Sequence, residues 1–282
     1  MKYEIKKLAK NTLEIIITIP WSEVSEKYNE MIVEVVKNAE VKGFRKGKAP
    51  RSTVEKNLNK DVFYTEVQNS LITKFYAQIV KESNILPVVY PRVEVIGREE
   101  NKEWIYKLTV CEAPLIDLKN YKDELGKENA KDKIWVPGKD EKKPQELDKN
   151  AKLTRNINRI LEIVNVELGD LMVEEEMTKL LSELIEEIKK LGLSLDQYLA
   201  STRKSVESLR DEYRHRAENS IKMEFILSKI ADVENISVSE EEIKTAIQEV
   251  KDEKLKEQLS KSNYELAAII RRQKTLDFIA LL

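Results

Sequence analysis

Two stretches of alternating apolar and polar residues open the chain, at 3–8 and 12–19. The second is rich in β-branched side chains, and the spacing predicts two strands with Asn11 in the turn between them. The period then lengthens. Val24, Tyr28, Met31 and Val35 recur on one face of a predicted helix that Ser22 caps, with Glu23 and Glu26 placed to favour its N-terminal dipole. After an aperiodic break at 41–50, Ser52 and Glu55 have capping-box spacing for one or two helical turns ending by Leu58. Asp61 starts a longer helix that carries Val67, Leu71, Phe75 and Ile79 on one side and ends near Asn84, before Pro87. Alternation returns at 92–96 and 104–111, where Trp104, Tyr106, Leu108 and Val110 share a face. The order β-β-α-α-α-β-β describes an α+β domain, an antiparallel sheet covered by helices.

From Leu153 onward the period is helical. Met177, Leu180, Leu181, Leu184, Ile188 and Leu191 form one stripe, and Gly192 is placed to stop that helix. Ser194 with Gln197, Ser239 with Glu242 and Ser262 with Glu265 mark further helix starts. Ser205 opens a long helix bearing Leu209, Tyr213, Phe225, Leu227 and Ile230 before Asn235. This half is all-α, and its apolar positions exceed a narrow stripe. Two readings follow: an ordinary bundle that buries them all, or an open helical array that keeps apolar grooves for unfolded chains.

Between the halves the character changes. Residues 122–149 hold eight acids and eight bases, two prolines and one apolar island at Ile134, Trp135 and Val136, a composition suited to a solvated tether that Trp135 pins.

Composition narrows the chemistry. A net charge of −2 and a pI near 5.9 confine anion binding to a patch. The one cysteine, Cys111, excludes a disulfide framework within the chain, and its strand position predicts a buried, inert thiol. His215, the one histidine, sits in a charged helical run with no partner for a metal site. The carboxylates alternate with lysines as on a solvated helix surface, so we expect no catalytic residues, no metal and no cofactor. No signal-peptide core or membrane-length span is visible, and the expectation is a cytoplasmic protein without a membrane partner.

The break at 41–50 concentrates two of the seven glycines, four cations and Phe44, and no acid occurs from Val41 to Thr53. Gly43 and Gly47 allow tight turns and Pro50 resists regular structure, so a shaped basic loop is expected. Such a patch suits a polyanion. Phe44 at its tip either enters a partner's pocket or folds back into the core; residue type alone does not choose. A nucleotide-binding P-loop is excluded, because three residues separate the glycines instead of four and Ala49 follows Lys48.

The string Gly43-Phe44-Arg45-Lys46-Gly47-Lys48-Ala49-Pro50 closely resembles the ribosome-docking motif of the bacterial trigger factor family, chaperones that meet nascent chains at the exit tunnel. The segments 173–176, 191–199 and 236–243 resemble that family's helical chaperone domain. The resemblance implies a ribosome-binding domain at 1–118, a charged linker at 119–150 and a substrate-binding domain at 151–282. It implies Gly43, Phe44, Arg45, Lys46, Gly47 and Lys48 as the ribosome-binding residues. Partners would be a tunnel-exit protein, ribosomal RNA and unfolded or nascent polypeptides, with a weak homodimer off the ribosome. The implied activity is that of an ATP-independent holdase; the alternative is a ribosome assembly or silencing factor without a nascent-chain role. Two departures stand out. Relatives carry an isomerase domain of FK506-binding type between the halves, whereas a polar stretch of about thirty residues cannot enclose a proline pocket, so no isomerase activity is expected. Gly169 also stands where the family leads one to expect proline.

Overall fold

Ala9 to Thr12 turn the chain through Lys10 and Asn11, both left-handed (φ 57° and 51°), which is the hairpin geometry that matches strand twist. The structure, a computed structural model, describes residues 1–131, 149–249 and 262–282. Trp135 and its apolar island lie outside the described residues. The hairpin joins β1 (Lys2–Lys7) to β2 (Thr12–Ile19). Three helices follow, α1 (Trp21–Asn38), α2 (Arg51–Asn57) and α3 (Lys60–Glu82), and then β3 (Arg92–Gly97) and β4 (Trp104–Cys111). The strands form one antiparallel sheet in the order β1-β2-β4-β3.

The sheet's helix-covered face is dry. Ile15, Ile17 and Ile19 of β2 lie beside Leu108, Tyr106 and Trp104 of β4, and all are buried against Val24 and Ile32 of α1 and Val67 and Ile79 of α3. Trp104 is the hub of an aromatic cluster, with Trp21, Tyr64 and Tyr106 in edge-on contact at 5.7–6.3 Å between ring centroids. The α+β reading of this half therefore holds element by element.

The remaining helices are α4 (Tyr121–Lys131), α5 (Lys149–Ile163), α6 (Asp170–Lys190), α7 (Leu195–Thr202), α8 (Val206–Val233), α9 (Glu240–Glu249) and α10 (Asn263–Leu281). Ser194 and Gln197 form the expected capping box, Ser205 closes another with Ser208, and Ser239 exchanges both bonds with Glu242. Gly192 (φ 73°) ends α6, and the following Leu193 N–H donates to the Ile188 carbonyl at 3.1 Å.

Several local expectations fail for physical reasons. Pro20 and Pro50 hold the N-cap places of α1 and α2, and no side chain caps either helix, so Ser22 and Ser52 lie inside the first turns. Proline has no N–H to leave unpaired, which suits it to a helix boundary. Ser262 caps α10 by position, without a side-chain bond. Residues 121–131, read as part of a tether, form a helix. Tyr121 and Leu125 of α4 are buried, Arg159 of α5 donates to Glu124 at 2.7 Å, and Arg155 donates to Asn129 at 2.9 Å.

The chain divides into two compact units, Met1–Ala113 with Gly169–Met172, and Pro114–Leu168 with Val173–Leu282. Within the first unit, a side chain on Gly169 would put its Cβ 2.5 Å from Cys111 Sγ and 3.1 Å from Thr12 Oγ1. A side chain there would have to displace the Cys111 thiol, so this close approach favours glycine.

Within the second unit, Glu234 at the end of α8 accepts from Tyr121 Oη and Lys122 Nζ of α4, both at 2.7 Å, and its side chain is 15% exposed. Lys122 and then Tyr121 hold its carboxyl below the ordinary carboxylate range. A lowered folded-state value adds stability above the unfolded carboxylate range, and that contribution disappears as pH falls through the folded value. Glu234→Gln is expected to lower the melting temperature of the helical unit by about 2–5 °C at neutral pH. The difference from wild type should close in acid; a difference independent of pH would show that charge is not the cause.

Candidate functional site

The basic break becomes two consecutive turns between α1 and α2. Phe44 N–H donates to the Val41 carbonyl and Lys48 N–H to the Arg45 carbonyl, both at 2.9 Å. Each turn has lysine then glycine at its centre, and Gly43 (φ 91°) and Gly47 (φ 71°) supply the left-handed residue that this turn type needs. The two glycines differ in what surrounds them. A Cβ on Gly43 meets nothing within 4 Å, but one on Gly47 would lie 2.4 Å from the Lys37 carbonyl oxygen. Gly47 N–H also donates to the Ala39 carbonyl at 3.0 Å, which closes the base of the loop on the end of α1.

The far side is equally fixed. Ala49 is buried, and the Pro50 carbonyl accepts from Thr53 and Val54 to begin α2. Arg51 donates to Asn29 of α1 at 2.7 Å and to Glu55 at 2.8 Å. Between these anchors Gly43, Phe44, Arg45, Lys46 and Lys48 are exposed and Gly47 is half-buried. Phe44 as a residue is 45% exposed, so it does not fold back into the core. Lys46 Nζ lies 3.2 Å from Glu40 Oε1, an exposed ion pair that residue types alone did not reveal. The loop therefore offers an uncovered aromatic ring among four cations, one of which is loosely neutralised.

A second feature belongs to the helical unit. Between α8, residues 236–238 and α10 runs a groove of about 480 Å³, floored by Leu227, Ala231 and Ala268. Arg271 spans it by donating to Asp232 at 2.7 Å and to the Ile236 carbonyl at 2.8 Å. Val206, Tyr264 and Ile269 stand exposed on the helices of this unit and Leu191 just past the end of α6, so the described residues do not bury every apolar position as a closed bundle would. Cys111 is buried beside Thr12, and His215 is exposed with Glu218 at 3.5 Å. Among the described residues no cluster of His, Cys, Asp or Glu is arranged to hold a metal ion, and no helix is long and apolar enough to cross a membrane.

Comparison with known proteins converges on one family. The sequence model described as "Bacterial trigger factor protein (TF)" matches residues 1–140, and that described as its C-terminus matches residues 138–280. The trigger factor of Carboxydothermus hydrogenoformans is 23% identical over 420 aligned positions, taking in 99% of this chain and 98% of the relative. That alignment is longer than the 282-residue chain, so a large block of the relative faces no residue here. The trigger factor of Clostridium kluyveri is 30% identical over 174 positions, which are 60% of this chain and 39% of the relative. A solved structure concerned with promiscuous substrate recognition in folding and assembly by the trigger factor chaperone aligns with a TM-score of 0.64 at 14% identity. It covers 100% of this chain and 99% of its own, a likeness of fold.

Alanine at the two loop glycines should separate conformational strain from collision. Gly43→Ala is expected to cost about 1 kcal/mol through the left-handed backbone alone. Gly47→Ala should cost distinctly more, read as the difference in denaturation midpoints. Equal costs would show that the Lys37 carbonyl is not a barrier.

Proposed function

Because the chain belongs to the bacterial trigger factor family of molecular chaperones, we propose that it docks on ribosomes through the 41–50 loop and shields emerging polypeptides with its helical unit, without ATP. The observation that carries the docking is the exposed Phe44 ring held at a double turn beside Arg45, Lys46 and Lys48. An aromatic that gains most from a partner's pocket, ringed by cations that meet phosphate or carboxylate, fits a surface of protein and ribosomal RNA. The groove between α8 and α10 and the exposed apolar residues of the helical unit support the holdase role.

We further infer that proline isomerisation is not part of this chain's activity. The two family models meet at residues 138–140 and leave no block of sequence for a catalytic domain between them. Weak self-association away from the ribosome and a cytoplasmic location complete the reading.

Cosedimentation with ribosomes tests it. Arg45→Glu/Lys46→Glu is expected to abolish pelleting while leaving circular dichroism unchanged, and wild-type binding should weaken steeply with salt. Nascent chains should strengthen loop-dependent binding; equal binding to empty ribosomes would favour an assembly factor, and binding that ignores the loop would remove the docking role. Glu40→Gln should tighten docking by roughly two- to fivefold, the range an exposed ion pair allows, because Lys46 is then released from its neighbour.

A further inference from the structure

Arg51 is the last cation in the acid-free run from Val41 to Thr53, and by sequence it would join the charges offered to a polyanion. The structure gives its guanidinium a different task. Nη2 donates to Asn29 Oδ1 of α1 at 2.7 Å, and Nε donates to Glu55 Oε1 of α2 at 2.8 Å. Glu55 offsets the arginine's charge, and the planar fork is occupied by two acceptors on two helices.

Asn29 is a fixed post. Tyr28 beside it packs edge-on against Phe63 of α3 at 4.9 Å between ring centroids and lies 5.3 Å from Tyr64, and Ile32, one turn further along α1, is wholly buried. Helix α2 is less secure on its own, since it has seven residues and Val54 is the one that is buried. A helix that short depends on packing, and a single buried side chain leaves it free to pivot. The bond from Arg51, in its first turn, to Asn29 supplies the second point that fixes its direction. That direction matters because only Ala49 and Pro50 separate Lys48 of the loop from Arg51. Gly47 meets the end of α1 at Lys37 and Ala39, and Arg51 meets the same helix about two turns further back, at Asn29. The segment 47–51 is therefore pinned along α1 at both of its ends.

We propose that Arg51 and Asn29 are positioning residues for ribosome docking: the bridge between them sets the direction of α2, and with it the shape in which residues 43–48 are presented, and Arg51 itself does not meet the ribosome. The proposal rests on the loop being the docking site. It assigns a part in docking to Asn29, a residue of α1 well outside the loop. Both side chains of the bridge are exposed, so its effect is several-fold and not all-or-none.

Ribosome affinity of the whole chain at several salt concentrations, together with hydrogen exchange of the loop amides in the free chain, provides the test. Asn29→Ala and Arg51→Lys should each weaken docking about three- to tenfold. The first removes the acceptor, and lysine keeps the charge but lacks the fork that reaches Asn29 and Glu55 together. The double variant should be no weaker than either single one, because both break the same bridge. The slope of affinity against salt should keep its wild-type value, since no phosphate contact is lost. In the free chain the amides of Phe44, Gly47 and Lys48, which close the loop's turns, should exchange at least about threefold faster, while those of β4 stay slow. Wild-type affinity in both variants, or unchanged exchange, would overturn the proposal. So would an Asn29→Ala variant of full affinity beside an Arg51→Ala variant whose affinity and salt slope both fall, which would make Arg51 a ribosome contact. A wild-type chain that fails to pellet would remove the docking role, whereas faster loop exchange in the variants would still show the bridge bracing the loop, so the two readings can fail separately.

Discussion

Eight consecutive residue pairs join Thr12–Ile19 to Trp104–Cys111, and the register of that ladder determines where nearly everything else in the first unit lies. Because side chains alternate, Ile15, Ile17 and Ile19 reach the same face as Trp104, Tyr106 and Leu108 only in this register; a slip of one residue would turn three of them to water. Helices α1 and α3 rest on that face, and the basic loop leaves from the end of α1 and enters α2. The position of Phe44, far from the sheet in sequence, is therefore a consequence of β2 meeting β4.

The sheet was legible in the sequence because β-branched and aromatic residues alternating with polar ones fit a half-buried strand and little else. The loop was legible as a shape, since two glycines and a proline among cations restrict the backbone. The fate of Phe44 was not, because an aromatic is as much at home in a core as in a partner's pocket. Nor were the contacts of Lys46 with Glu40 and Arg51 with Asn29, which exist only once the chain has turned back on itself. The caps show how one local signal yields to another. Ser194 and Ser205 act as expected, while Ser22 and Ser52 lose the boundary to the prolines at 20 and 50. Helix α4 was concealed by its mixture of charges, although Tyr121 and Leu125, one turn apart and both buried, carried the helical signal. The assignment of the loop residues to a ribosome rests on family resemblance, which residue chemistry supports by type and does not specify.

The roles we propose for the aromatic loop and the grooved helices pose opposite demands. A docking loop must present one shape, and it is held at both ends by backbone and side-chain bonds. A surface for unfolded chains must tolerate many shapes, and exposed leucine, isoleucine and tyrosine side chains ask for no fixed hydrogen-bond geometry. Polar precision is concentrated in the first unit's loop and apolar tolerance in the second unit's helices.

The pairing of α4 with α5 bears on how such a chain changes over evolutionary time. Glu124 with Arg159 and Asn129 with Arg155 bring the two helices together through their own side chains, whatever chain joins residues 131 and 149. Closing a longer connection between ends already held together costs only about 0.6 kcal/mol for each doubling of its length. A longer segment inserted at that junction would therefore leave the helices on either side with the same partners.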